Sequence, residues 1–197
     1  MTSSPQRGHA ARELLLSAAQ ELYAAHGVAA TTPRQVIELS GVGQGSLYHH
    51  FPSKVDLAAE ALHRTTTQTL GAASEILGTG LPARGRIESY LRKDRDATAG
   101  CRVGRLTADP VVMSHDDLRE PVGDYFTDLI QLVAAAFMDD GTPPDGAVNR
   151  ATAAVAVIQG GFVLSRATGD AGQMQRAVEG FIALMTDGES SPAGPIN

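Results

Sequence analysis

The side chains best suited to chemistry lie in one short stretch, between residues 32 and 54. Two cations, Arg34 and Lys54, flank a series of hydrogen-bonding residues, namely Gln44, Ser46, Tyr48, His49 and His50. Such groups suit nucleic-acid recognition, because a guanidinium matches the O6/N7 pair of guanine and a lysine can clamp a phosphate. Gly45 has no side chain and would allow close approach to a sugar–phosphate backbone or a thymine methyl.

Catalytic and metal-binding patterns find no support in the sequence. It contains no Ser/His/Asp order, paired-carboxylate motif or HExxH, so we predict that the protein is not an enzyme. His49 and His50 are adjacent, and neighbouring helical side chains diverge by about 100°, so they cannot share one metal ion. His115-Asp116-Asp117 could form a metal or acid/base cluster. We favour a different interpretation, in which these acidic residues lie at a helix N-terminus and are stabilised there by the helix dipole. We expect no metal and no cofactor.

Length and charge narrow the class of protein further. The 197 residues suffice for one domain, or for a small module that shares helices with a larger one. The net charge is -6, yet residues 1–64 hold five basic and five acidic residues, so the remainder carries the whole excess. One cysteine, Cys101, excludes an intramolecular disulfide. With no apolar secretion segment and no membrane-length apolar run, we expect a cytoplasmic protein without a membrane partner.

The sequence around the polar stretch predicts short helices. Helix one is predicted over 9–26, with Leu15, Ala18, Ala19 and Leu22 on its inner face and Glu13, Ser17, Gln20 and Glu21 opposite. Thr32 caps a second helix, with Pro33 in its first turn and Gln35 at the capping-box position. The second helix ends near Gly41, and a third helix follows over 44–50. These two helices and their glycine-containing turn form a helix-turn-helix, which can place its second helix in the major groove of DNA.

The rest of the sequence also predicts helices. Ser53 to Asp56 cap a long fourth helix, and further helices are predicted over 83–98, 102–113, 115–139, 145–168 and 171–186. Ser114 is expected to cap the helix that begins near 115. We therefore predict an all-α fold of about nine helices, with no strand. The domains are a DNA-binding domain over 9–62, a ligand-binding and dimerisation domain over 63–187, and a disordered tail over 188–197.

The C-terminal part offers candidates for two further sites. Apolar or aromatic residues with a few polar tips are candidates to line an effector pocket: Tyr90, Met113, Tyr125, Phe126, Phe137, Gln159 and Phe162. The last two long helices are unusually apolar, which favours a four-helix bundle with a second copy. The residues expected at that interface are Ala151, Ala154, Val155, Ile158, Val178, Phe181, Ile182 and Met185.

The stretch Thr31–Lys54 resembles the DNA-binding motif of the tetracycline-repressor (TetR) family of bacterial regulators. The likeness rests on a Thr-capped helix, a Gly-Val turn, a Leu-Tyr-x-His-Phe recognition helix and a Lys after a Ser cap, across 9–62. The sequence departs at Gln44, where many members carry Lys, and at Ile37, where a small residue is commoner. Gly100–Leu106 and Val157–Ala167 are similar to a subgroup of lincomycin-resistance and flavonoid-responsive repressors.

This resemblance implies a transcriptional regulator, more specifically a repressor that binds a palindromic DNA operator as a homodimer and is released by a small, largely apolar effector. It implies contacts to phosphates or base edges from Thr32, Gln44, Tyr48, His49 and Lys54. Base readout would come mainly from Arg34, Gln44 and Ser46. A dimer is also required physically, because one two-turn recognition helix gives modest affinity and two half-sites give useful specificity.

Three alternatives stay open. A helical protein-interaction module would keep the helix-turn-helix only as packing. A cofactor-dependent enzyme would use Gly41–Ser46 as a nucleotide-binding loop, but position 46 is Ser where that fingerprint needs Gly. Cys101 would serve as a redox sensor in a third interpretation, although a lone cysteine is more often a small buried apolar residue.

Overall fold

The chain folds into helices joined by turns and loops. The computed structural model describes residues 4–187, which contain nine α-helices, one 3-10 helix (Gly104–Ala108) and no strand. The α-helices are α1 (Ser4–His26), α2 (Pro33–Ser40), α3 (Gln44–His50), α4 (Lys54–Leu77), α5 (Ala83–Leu91), α6 (Pro110–Ser114), α7 (Asp116–Asp139), α8 (Pro144–Thr168) and α9 (Gly172–Asp187). The predicted all-α class is confirmed. The tail predicted over 188–197 lies outside the described residues.

The described chain divides into two compact units, and each draws on two separate stretches of sequence. The first unit combines the chain up to residue 71 with residues 102–127. The second unit combines residues 72–101 with the chain from residue 128 onward. The helix-turn-helix therefore shares its unit with a segment that follows it by more than 30 residues.

In the first unit, α1 packs on α2 and α3. Leu15 and Leu16 of α1 are buried, as are Val36 of α2 and Leu47 of α3. The prediction that Gln20 lies on the outer face of α1 is wrong. Its side chain is buried and donates hydrogen bonds to Thr65 Oγ1 at 2.9 Å and to Gln68 Oε1 at 3.1 Å, because α4 covers that face and offers partners for the amide.

In the second unit, α8 and α9 pack closely on each other. Small residues permit this approach, since Ala151 and Ala154 are fully buried and a Cβ added to Gly161 would lie 2.5 Å from Met174 Sδ. Ser165 Oγ accepts the Met174 backbone N–H at 3.1 Å, which satisfies an amide that the first turn of α9 leaves unpaired.

The helix predicted over 83–98 ends earlier, at Leu91. The Arg95 guanidinium donates to the carbonyl oxygens of Tyr90, Leu91 and Lys93 at 2.7, 3.0 and 2.8 Å. Carbonyl oxygens at the end of α5, which have no partner within the helix, thus accept hydrogen bonds from a side chain that follows it.

The single helix predicted over 102–113 is also wrong, because it is broken before Pro110. Proline has no N–H and disfavours the helical conformation in the preceding residue. Asp109 is accordingly extended, and its Oδ1 accepts the amides of Val111 and Val112 at 2.9 and 3.2 Å to start α6. Ser114 ends α6 and donates to Val111 O, so it does not cap α7 as predicted.

Candidate nucleic-acid interface

Local hydrogen bonds fix the first helix of the helix-turn-helix. Thr32 Oγ1 accepts the Gln35 amide at 3.3 Å, and Gln35 Oε1 accepts the Thr32 amide at 2.7 Å. The predicted capping box is thus present. Gly41 ends α2 in the left-handed region at φ 67°, and its N–H donates to Ile37 O at 3.0 Å. Any side chain at this position would strain the turn into α3.

The recognition helix α3 has a buried side and an open side. Leu47 is buried and, with Phe51 directly after the helix, anchors α3 in the first unit. Tyr48 is 47% exposed, so its ring is not part of the core. Gln44, Gly45 and His49 are also exposed, whereas Ser46 and His50 are half-buried. Five of the polar residues predicted to meet DNA therefore share one short helix, which also carries the core contact of Leu47.

Gly45 faces open space. An added Cβ would find no other atom within 4 Å, so packing inside the described chain does not require glycine here. The absence of a side chain instead leaves the surface of α3 flat beside Tyr48. This is the arrangement expected where a backbone must approach a bulky partner closely.

A cation with a neighbouring carboxylate lies on α2. Arg34 Nε donates to Glu38 Oε1 at 2.7 Å, one helical turn away, and both side chains are strongly exposed. This hydrogen bond raises the pKa of Arg34, whose guanidinium is in any case charged at every physiological pH. The sequence indicated Arg34 as a base contact, whereas Glu38 was not among the predicted site residues.

Lys54 begins α4 at a well-capped helix N-terminus. Ser53 and Asp56 exchange hydrogen bonds, with Asp56 Oδ2 accepting the Ser53 amide at 2.9 Å and Ser53 Oγ accepting the Asp56 amide at 3.1 Å. Lys54 Nζ lies 3.5 Å from the carbonyl oxygen of Ala29, in the α1–α2 loop. Its ammonium group and the α4 N-terminus together form a positive site suited to a phosphate.

The α1–α2 loop is held by residues that sequence reasoning missed. Asp109, which is buried, accepts the Ala29 amide through Oδ2 at 2.9 Å. Arg105 donates to the carbonyl oxygen of Ala24 near the end of α1. Gly27 leaves room for the carboxylate, since an added Cβ would lie 2.6 Å from Asp109 Oδ2. The Asp109-Pro110 pair signals a helix start, but no local pattern reveals a partner 80 residues away.

The predicted effector-pocket residues are divided between the two units. Tyr125 and Phe126 of the first unit stack edge to face at a centroid distance of 5.0 Å, while Met113 is 46% exposed. In the second unit, Phe137 is fully buried and Phe162 half-buried.

Two more of these candidates have polar neighbours in the second unit. Gln159 Nε2 lies 3.6 Å from the Cys101 sulfur. Arg95 lies over the Tyr90 ring, and burial raises the pKa of Tyr90 to about 12. A groove of about 410 Å³ in this unit, between residues 91–97 and the first half of α9, involves none of the predicted pocket residues.

Most of the predicted dimer residues are already buried within one chain. Ala151, Ala154, Val155, Ile158, Val178, Ile182 and Met185 are buried in the described chain, and Phe181 is half-buried. The large apolar residues that α8 and α9 leave exposed are Val148, Val163, Leu164 and Leu184. One of them, Leu184, lines a groove of about 330 Å³ that also includes Arg150, Ala153 and Phe181.

The acidic start of α7 behaves as a helix terminus. Asp116 pairs with Arg119 at 2.7 Å, and His115 Nδ1 lies 2.9 Å from Val111 O. Among residues 4–187, no group of three His, Cys, Asp or Glu side chains is arranged to hold a metal ion. By length and composition α8 alone, among these residues, could cross a membrane, and a third of its most apolar stretch is buried.

Two family models match the chain, one for each part of the sequence. Residues 15–61 match the bacterial regulatory proteins of the tetR family, and residues 86–180 match the C-terminal domain of LmrA/YxaF-like transcriptional regulators. These matches cover the helix-turn-helix and most of the helices that follow it.

Individual relatives agree with the family models. The transcriptional regulator LmrA of Bacillus subtilis is 30% identical over 162 residues, which are 78% of this chain and 85% of LmrA. The repressor KstR2 of Rhodococcus jostii is 36% identical over 86 residues, 44% of this chain and only 42% of KstR2. A TetR regulator from Chloroflexus aurantiacus has the same fold, with a TM-score of 0.81 over 92% of this chain and 96% of its own, at 20% identity.

Proposed function

Because the chain belongs to the tetR family of bacterial regulatory proteins, we propose that it represses transcription as a homodimer on a palindromic operator and leaves that operator when a small, largely apolar effector binds. The family consists of transcriptional regulators, not enzymes. The observation that carries the proposal is α3, a two-turn helix with Leu47 buried on one side and Gln44, Tyr48 and His49 exposed on the other. A regulator of this kind acts on DNA, so we place it in the cytoplasm.

We assign DNA contacts to both helices of the motif and to the start of α4. Base readout is assigned to Arg34, Gln44 and Ser46. Phosphate contact is assigned to Tyr48 and Lys54, and close approach to Gly45. Thr32, His49 and His50 complete the proposed surface, since Thr32 and His49 are exposed and His50 half-buried. The overall charge of -6 would repel DNA, so these few groups must supply the attraction locally.

We assign the dimer interface to the exposed apolar side of α8 and α9. Val163 and Leu184 are 67% and 73% exposed in the single chain, which is unusual for large apolar side chains on two adjacent helices. A second copy would cover them, and the groove beside Leu184 could receive an apolar side chain of the partner. Covering this side also explains why so apolar a helix as α8 is only partly buried in one chain.

We propose that the effector acts by shifting an equilibrium between two conformations that differ in the spacing of the recognition helices. The effector must bind the DNA-incompetent conformation more tightly by a few kcal/mol for release to be substantial. Apolar and aromatic residues of the C-terminal part, Tyr90, Phe137 and Phe162 among them, supply the contacts in this proposal.

The test is fluorescence anisotropy of the full chain on a duplex from its own upstream region, against a scrambled duplex at two salt concentrations. We expect specific, salt-sensitive binding with two protomers per duplex. Lys54→Ala should weaken binding to both duplexes and reduce the salt slope by about one. Arg34→Ala should weaken specific binding most. A protein-interaction module would instead bind both duplexes weakly and equally, and would be unaffected by either substitution.

A further inference from the structure

The ion pair between Arg34 and Glu38 has a geometry that suits a function other than stability. Both side chains are exposed, with 86% and 59% of their surfaces accessible. An exposed pair at this spacing contributes little to folding. The helix that carries it is already fixed by the Thr32 capping box and by Gly41. A structural role for Glu38 therefore has no support from its surroundings.

The presence of a carboxylate is also unexpected on a surface that meets DNA. A negative charge beside a phosphate backbone is repelled, and it weakens binding to any sequence. Glu38 and the predicted base contact Arg34 lie four residues apart and on the same side of α2. A carboxylate at this position is therefore useful only if it improves sequence recognition enough to offset this repulsion.

The hydrogen bond leaves one edge of the guanidinium free. Only Nε of Arg34 donates to Glu38, and Nη1 and Nη2 have no hydrogen-bond partner within the described part of the chain. Those two nitrogens form the fork that matches O6 and N7 of guanine. An unrestrained arginine would also reach the nearest phosphate, which carries no sequence information.

We propose that Glu38 is a specificity-determining residue, which holds Arg34 by Nε so that Nη1 and Nη2 face a guanine and not a phosphate. Glu38 lowers affinity for all DNA through its charge and raises the preference for one G·C pair in each half-site. The inference rests on the proposed function, because it requires that α2 faces DNA.

The experiment selects duplexes from a random pool with the full chain and compares affinities for the selected and a scrambled duplex by anisotropy. The wild type should enrich guanine at one position of each half-site. Arg34→Ala should lose this preference and bind the selected duplex about tenfold more weakly. Glu38→Ala should bind the scrambled duplex roughly threefold more tightly and lose about tenfold in the ratio of specific to scrambled affinity. Glu38→Gln retains an acceptor for Nε, so its ratio of specific to scrambled affinity should lie between those of the wild type and Glu38→Ala.

Asp116→Ala is the matched control, since it removes one negative charge from another exposed carboxylate–arginine pair, Asp116–Arg119 on α7. It should leave the affinity ratio and the guanine preference unchanged. The inference is overturned if Arg34→Ala abolishes the preference while both Glu38 variants keep ratios within twofold of the wild type. If the wild type enriches no sequence at all, the proposed function itself fails, so the two failures are distinguishable.

Discussion

At the scale of single residues, Tyr48 allows DNA binding to be separated from folding. Its phenol is 47% exposed and has no hydrogen-bond partner among the described residues. Removing the hydroxyl therefore takes nothing away from the free protein. Any effect of the substitution must arise in the complex.

We predict that Tyr48→Phe weakens DNA binding by about 0.5–1.5 kcal/mol, the usual value of one hydrogen bond, and leaves Tm unchanged. Anisotropy on the selected duplex and thermal unfolding of the free protein measure the two quantities. A drop in Tm with unchanged affinity would show that the hydroxyl serves the fold.

Tyr90 gives a prediction for alkaline pH. Burial raises its pKa to about 12, above the ordinary value of 10 for the unfolded chain. The group therefore adds stability that is fully present below pH 10 and is lost as the pH rises toward 12. The loss is on the order of 2–3 kcal/mol.

We expect Tyr90→Phe to flatten the dependence of the unfolding free energy on pH between about 10 and 12. Denaturant unfolding of both proteins across this range measures the difference in slope. Equal slopes would mean that Tyr90 ionises as readily in the folded protein as in the unfolded chain.

At the scale of elements, the motif could be predicted because its signals are local. Thr32, Gln35 and Gly41 determine the ends of α2, and so the position of Arg34, through contacts within four residues. The start of α4 at Lys54 follows in the same way from the exchange between Ser53 and Asp56. The partner of Gln20 and the partner of Asp109 could not be predicted, because 45 and 80 residues separate the groups. Periodicity also missed the break at Pro110, since the apolar pattern continues through it.

Two glycines with positive φ provide a matched test of the Asp109 contact. Gly41, at φ 67°, has open space around an added Cβ, whereas Gly27, at φ 85°, has Asp109 Oδ2 at 2.6 Å. We predict that Gly41→Ala costs about 1 kcal/mol from backbone strain alone. Gly27→Ala should cost about 2–4 kcal/mol, because it also displaces the carboxylate from the Ala29 amide.

Chemical denaturation of both variants and of an Asp109→Ala background measures these differences. In that background the cost of Gly27→Ala should fall to the value found for Gly41→Ala. If the background has no effect on the cost, the Asp109 carboxylate is not what makes Gly27 necessary.

At the scale of the whole molecule, the proposed homodimer can be tested on exposed residues. We predict that Leu184→Glu converts the proposed dimer to a monomer without lowering the helix content, because Leu184 is 73% exposed in the single chain. Specific DNA affinity should fall at least tenfold, as one half-site is lost. Light scattering after size exclusion and anisotropy provide the measurements.

Leu81→Glu serves as the comparison for this variant. Leu81 is 51% exposed and belongs to the loop between α4 and α5, not to α8 or α9. The Leu81→Glu variant should form the proposed dimer and bind DNA as the wild type does. Monomers in both variants, or in neither, would place the interface elsewhere.

The interleaving of the two units constrains how such a regulator can be rebuilt. A graft that moved only the first 62 residues onto another regulator would leave behind Asp109 and Arg105, which hold the α1–α2 loop. A functional chimera therefore has to carry two stretches of sequence, the chain up to residue 71 and residues 102–127. By the same logic, a single recombination crossover between two related genes would separate parts that are packed together, so exchange of DNA specificity requires two crossovers or point changes within the motif.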